Sequence, residues 1–182
     1  ADVLFGDANP SGKLPVTFPR HPGQVPIFYG QRPTGRPTSE DRWTSKYVDE
    51  QVHPLYRFGH GLSYTRFTYS DLAVQPPAVA ASGAVTVSVR VKNAGSREGK
   101  EIVQLYVRDP VAGRSRPLRE LKGFQKLSLA PGEEKPVVFT LAAAALGFHD
   151  ERGRYRVEPG EFQVFVGGSS AADLSARFDV KP

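Results

Sequence analysis

From about Arg66 onward, apolar and polar residues alternate with period two in one segment after another, and this constrains the fold more than any other feature. Val85, Val87, Val89 and Val91 alternate with Thr86, Ser88, Arg90 and Lys92, and Val103, Leu105 and Val107 alternate with Gln104, Tyr106 and Arg108. The pattern returns in Val137, Phe139 and Leu141, in Phe162, Val164 and Val166, and in Leu174, Ala176, Phe178 and Val180. Successive side chains of a strand point to opposite faces, so each segment reads as a strand with one face buried. Turn signals separate the segments: Asn93-Ala-Gly95, Asp109-Pro110, Ala130-Pro-Gly132, Glu158-Pro-Gly160 and Gly167-Gly-Ser-Ser170. Gly and Pro supply 18 and 16 of the 182 residues, a turn-rich composition. Roughly 115 residues built this way predict an antiparallel β-sandwich of seven or eight strands. Only Ala142–Leu146 hints at a helical turn, too short to stand alone.

Residues 1–65 behave differently. Asp2-Val-Leu-Phe-Gly6 has the form of a last helical turn closed by glycine, followed by Asn9-Pro-Ser-Gly12 and a short strand-like Leu14–Phe18. Then Pro19–Pro54 runs without a sustained period, rich in Pro, Gly, Arg and Thr. Loops longer than ~12–15 residues without structure of their own are usually functional or supported from elsewhere. A helix stub exposing Val3, Leu4 and Phe5 also lacks a partner, which suggests an extended, largely irregular arm that is the remnant of another domain. A disordered arm is the alternative, but Leu14, Phe18, Ile27, Phe28, Trp43, Tyr47, Leu55, Tyr56 and Phe58 give it many apolar anchors.

Several functions are disfavoured by the residues present. A formal net charge of +5 invites a nucleic-acid partner, yet it is spread as seven cations against six anions in residues 1–65 and 17 against 13 in the rest. The charges interleave and most aromatics follow the strand alternation, so a solvated mixed surface is expected and no nucleic-acid partner. No run of 18 apolar residues marks a membrane span. With no cysteine and no ligand spacing among His21, His53, His60 and His149, neither a metal site nor a cofactor is expected. Gly95-Ser-Arg-Glu-Gly-Lys100 is one residue short of a phosphate-binding loop and reads as a turn between strands.

Paired carboxylates can hydrolyse glycosides when they flank a sugar. The pairs here, Glu40-Asp41, Asp49-Glu50, Glu133-Glu134 and Asp150-Glu151, are sequence neighbours, and neighbours do not create that separation. No catalytic residue is therefore assigned. Glu40-Asp41 stands out only for its neighbour Trp43, the sole tryptophan. Trp43, Arg42 and Tyr47 form a candidate substrate rim, in which a ring stacks on a sugar and a guanidinium meets its hydroxyls. The plainer reading is that Trp43 anchors its own loop.

Five stretches then resemble a known family. Asp2-Val-Leu-Phe-Gly-Asp-Ala-Asn-Pro-Ser-Gly-Lys-Leu-Pro-Val-Thr-Phe-Pro-Arg20 looks like the end of the second catalytic domain of family 3 glycoside hydrolases. Pro54-Leu-Tyr-Arg-Phe-Gly-His-Gly-Leu-Ser-Tyr-Thr-Arg-Phe67 resembles the passage into their fibronectin type III-like domain. That domain is echoed by Asn93-Ala-Gly-Ser-Arg-Glu-Gly-Lys-Glu-Ile-Val-Gln-Leu-Tyr-Val107, by Arg116-Pro-Leu-Arg-Glu-Leu-Lys-Gly-Phe-Gln-Lys126 and by Val157-Glu-Pro-Gly-Glu-Phe-Gln-Val-Phe-Val-Gly167. The stretches stand in the family's order; Arg57, where proline is common, is a departure.

The resemblance implies three parts: residues 1–20 as the C-terminal remnant of an α/β sandwich catalytic domain, 21–65 as a linker or wrapping loop, and 66–182 as the fibronectin type III/Ig-like sandwich. It implies a retaining, exo-acting β-glycosidase of terminal β-linked glucose or xylose. Its nucleophile and acid/base lie before residue 1, so this chain alone is expected to be inactive and to stabilise the catalytic domains. The implied partners are those domains and, through them, β-glucoside or β-xyloside oligosaccharides. A homodimer of the full enzyme and a periplasmic or secreted place in bacteria complete the expectation. The competing reading is an independent carbohydrate-binding or protein-interaction β-sandwich module.

Overall fold

The computed structural model describes residues 1–37 and 43–182. Ten strands follow in chain order: β1 Phe67–Gln75, β2 Ala78–Ala80, β3 Ala84–Asn93, β4 Gly99–Arg108, β5 Glu120–Leu129, β6 Glu134–Ala142, β7 Phe148–His149, β8 Tyr155–Arg156, β9 Gly160–Gly167 and β10 Leu174–Lys181. They form one sheet in the order β1-β3-β6, a second in the order β2-β10-β9-β4-β5, and a small β7-β8 ribbon. Pairing is antiparallel except between β2 and β10. The expected mainly β, fibronectin type III/Ig-like sandwich is present. The count exceeds seven or eight because β2, β7 and β8 are only two or three residues long.

The alternation sets which face each strand buries. Val85, Val87, Val89 and Val91 of β3 and Val137, Phe139 and Leu141 of β6 face Val103, Leu105 and Val107 of β4 and Phe162, Val164 and Val166 of β9 in one cluster. Each such side chain stabilises by about 1.5–3 kcal/mol relative to an exposed one. Ala143–Leu146 forms a single 3-10 turn at the end of β6 and buries Ala143 and Leu146. Strand β1 bulges between Ser70 and Ala73, and Asp71 there takes a φ of 53°. The bulge brings Asp71 to 3.5 Å from Arg90 on β3.

The described residues of the first 66 contain little regular structure, yet several backbone groups among them are tied down. Helix α1 (Asp2–Phe5) ends at Gly6, whose φ of 88° is the left-handed closure expected there. The strand-like Leu14–Phe18 forms only an isolated antiparallel bridge, Phe18 to Tyr56. The same two stretches exchange Leu14 N–H to His60 O and Gly59 N–H to Leu14 O, both 2.8 Å. Gln24, 4% exposed, closes the base of the long loop: its Oε1 accepts from Arg20 N–H and its Nε2 donates to Gln51 O. Among the described residues, side chains and backbone groups of the arm find partners in the arm and on the sandwich.

Candidate functional site

The seam between arm and sandwich is built from polar groups at burial. Lys13 of the arm reaches into the sandwich, where its Nζ lies 3.0 Å from Glu101 Oε1 and 3.3 Å from Oε2. Glu101 occupies an inward position of β4, two residues before Val103, and its side chain is 6% exposed against 15% for Lys13. Tyr69 of β1 donates its hydroxyl to the same Oε1 at 2.8 Å. Burial, then the Glu101 charge, pushes the Tyr69 phenol far above its ordinary range, so it remains a donor. Gly168 leaves the room: a Cβ there would stand 2.7 Å from Glu101 Oε1.

Two further contacts continue the seam. Gln104 and Tyr106 point to the outer face of β4, as the alternation predicts, but both are buried because the arm covers them. Gln104 Nε2 donates to Gly168 O at 2.7 Å and to Gly59 O at 3.3 Å, while Tyr106 donates its hydroxyl to Gln104 Oε1. Tyr29 stacks on Phe58 at 4.2 Å and meets Tyr106 edge-on. At the top of the sandwich, Asn93 is fully buried. Its Oδ1 accepts from Thr65 Oγ1 and Gly95 N–H, and its Nδ2 donates to Arg97 O and Leu129 O.

Beside the seam lies a cleft of about 1,090 Å³ between the long loop and the β4/β5 end of the sandwich. Tyr47, 43% exposed, lines it. Trp43 is 73% exposed. Arg42, with Glu40 and Asp41, falls outside the described residues, so the structure brings together no complete Trp43/Arg42/Tyr47 rim. Of the other carboxylate pairs, Glu133 accepts from Ala130 N–H and pairs with Lys135, and Glu134 pairs with Arg90. Asp150 accepts from Arg152 and Arg154 backbone N–H groups. Hydrogen bonds, to Lys135 for Glu133 and to Arg154 for Asp150, hold both carboxyls below the usual range, as befits turn carboxylates. Among the described residues no cluster of three or more His, Asp or Glu could hold a metal ion.

The arm also carries most of the large apolar side chains that are exposed among the described residues. Fourteen of the nineteen exposed large hydrophobics among the described residues lie within residues 1–64. Leu4 and Phe5 are 83% and 82% exposed, and Val16, Phe18, Val25, Phe28, Leu55 and Leu62 add to them.

Comparison with known proteins fits this division. A family model described as "Glycosyl hydrolase family 3 C-terminal domain" matches residues 1–64, and one described as "Fibronectin type III-like domain" matches residues 101–170. A "Periplasmic beta-glucosidase" of Salmonella typhimurium is 49% identical over 183 residues, covering 99% of this chain and 24% of its own length. A "Beta-xylosidase" of Formosa agariphila is 45% identical over 175 residues, covering 95% of this chain and 23% of its own. The crystal structure of a beta-glucosidase from Listeria innocua in complex with glucose superposes with a TM-score of 0.94 at 39% identity. It covers 100% of this chain and 26% of that one, so the chain spans about a quarter of the proteins it matches.

Proposed function

The chain belongs to glycoside hydrolase family 3, and from that premise we propose that it is the non-catalytic C-terminal portion of a β-glycosidase that hydrolyses terminal β-linked glucose or xylose. Residues 1–20 are the end of an α/β catalytic domain, 21–65 the wrapping loop and 66–182 the buttress. The observation that carries this reading is where the exposed apolar residues fall: fourteen of the nineteen among the described residues lie on the arm, within residues 1–64. Burying those residues against the catalytic domains stabilises them by roughly 25 cal/mol per Å² of apolar surface covered, before the costs of ordering. The Salmonella relative's printed name supports a periplasmic or secreted place.

The test is hydrolysis of an aryl β-glucoside and an aryl β-xyloside by the purified 182-residue chain and by the longer polypeptide. Turnover by the longer polypeptide alone is expected. Turnover by the chain itself would overturn the reading, and Glu40 and Asp41 would be the first residues to replace.

The rim reading of Trp43 and Tyr47 belongs to the same proposal, supported by the exposure of the Trp43 ring. Trp43→Ala in the longer polypeptide is expected to raise KM for short β-glucosides roughly 2–12-fold, the equivalent of ~0.5–1.5 kcal/mol of stacking. The value of kcat should hold. Unchanged steady-state kinetics would remove Trp43 from the rim.

A further inference from the structure

The described lining of the cleft beside the seam is predominantly cationic. Five arginines line it, Arg32, Arg36, Arg57, Arg108 and Arg119, and Asp173 is the one carboxylate among its described lining residues. Arg119 is spoken for: it donates to Ser170 O and Ala172 O at 2.6 Å and lies 4.1 Å over the Phe165 ring. No ion pair or hydrogen bond among the described residues engages the side chains of Arg32, Arg57 or Arg108. Burial lowers the Arg119 pKa, Asp173 opposes the shift, and Arg57 and Arg108 add to it, so these guanidinium groups stand within Coulombic reach of one another. Burial, Arg57 and Arg20 likewise lower His53, which keeps its imidazole neutral on the cleft wall near pH 7.

An anion seated among these groups relieves their mutual repulsion and gains charge-assisted hydrogen bonds. The remaining lining is not that of a bare anion pocket. The rings of Phe28 and Tyr47 are 56% and 43% exposed and offer flat apolar faces, while Gln31 and Thr34 add amide and hydroxyl groups. Thr17 lines the same cleft at 9% exposure, and its hydroxyl has no hydrogen-bond partner. A volume of about 1,090 Å³ is slightly above the ~300–1,000 Å³ typical of sites for compact organic ligands and leaves room for an oligosaccharide.

We propose that this cleft binds a carboxylate-bearing oligosaccharide, its uronate groups held by Arg57 and Arg108 and its pyranose rings lying against Phe28 and Tyr47. Uronate recognition through two guanidinium groups sets the specificity, since a neutral oligosaccharide leaves both unpaired.

The probe is trigalacturonic acid, titrated calorimetrically into the 182-residue chain and into the longer polypeptide, with cellotriose and sodium sulfate as counterparts. Trigalacturonate is expected to bind both proteins, to bind at least tenfold more tightly than cellotriose or sulfate, and to weaken as NaCl is raised. The double variant Arg57→Gln/Arg108→Gln should lose at least tenfold of that affinity, the equivalent of about 1.4 kcal/mol. Its melting transition should be unchanged, because neither side chain is used in holding the fold. Four results would overturn the proposal: no binding of trigalacturonate, equal binding of cellotriose, equal binding of sulfate, or full affinity in the double variant. Binding by the chain but not by the longer polypeptide would also overturn it, by showing that an acidic segment of the rest of the protein fills the cleft.

Discussion

Glu101→Ala is expected to lower the unfolding free energy of the chain by about 3–5 kcal/mol, the loss typical when one partner of a buried ion pair is removed. Lys13 would be left 15% exposed with no carboxylate, and the Tyr69 hydroxyl would lose its acceptor. Desolvation is what makes the loss large: an exposed pair of the same geometry contributes only about 0–1 kcal/mol. Removing both charges together separates the two effects. The double variant Lys13→Met/Glu101→Leu should recover much of the loss, because it leaves no unpaired buried charge. Urea denaturation of the three proteins measures this, with the midpoint falling and the slope retained in Glu101→Ala. A single-variant loss below about 1 kcal/mol would mean that water already screens the pair.

The second large effect is expected at Asn93. Its amide serves four partners drawn from separate pieces of chain: Thr65 at the end of the arm, Gly95 and Arg97 in the β3–β4 turn, and Leu129 at the end of β5. Asn93→Ala strands these groups without water and should cost about 2–4 kcal/mol. Asn93→Asp is expected to be worse, although it is nearly isosteric. Its second oxygen would face the Arg97 and Leu129 carbonyls where Nδ2 now donates, and a carboxylate would be fully buried without a cation. Thermal melts of the two variants rank them. Asp equal to or better than Ala would show that the Nδ2 donations contribute little.

The two positions also show what could be read from the sequence and what could not. Strands β3, β4, β6, β9 and β10 were legible because each buries one face and so leaves a period of two. Strand β5, at the sheet edge with Phe124 66% exposed, leaves a weaker trace, and β2 at three residues leaves none. Gly6 was legible as a helix end because the left-handed turn asks for glycine. The seam was not. Its one sequence signal is Glu101, a charge in register with Val103, Leu105 and Val107, which demands a buried partner, but nothing local names Lys13, 88 residues away. The burial of Gln104 and Tyr106 follows from the arm lying over them, a contact between distant segments. Trp43 and Tyr47 were legible as unusual residues in a polar loop; the arginines that surround the neighbouring cleft come from both arm and sandwich and leave no motif.

The central claim is that the apolar face of the arm is a docking surface for catalytic domains of the same polypeptide. Amide hydrogen exchange, measured peptide by peptide in the 182-residue chain and in the longer polypeptide, tests it most directly. The account predicts that segments around Val3–Phe5, Val16–Phe18 and Leu62–Tyr64, none of which includes the cleft's Phe28 or Arg57, exchange faster in the chain than in the longer polypeptide. Strands β3 and β9, already in the core, should be protected alike in both. Equal exchange of the arm segments in the two proteins would contradict the claim and leave the sandwich as an independent module.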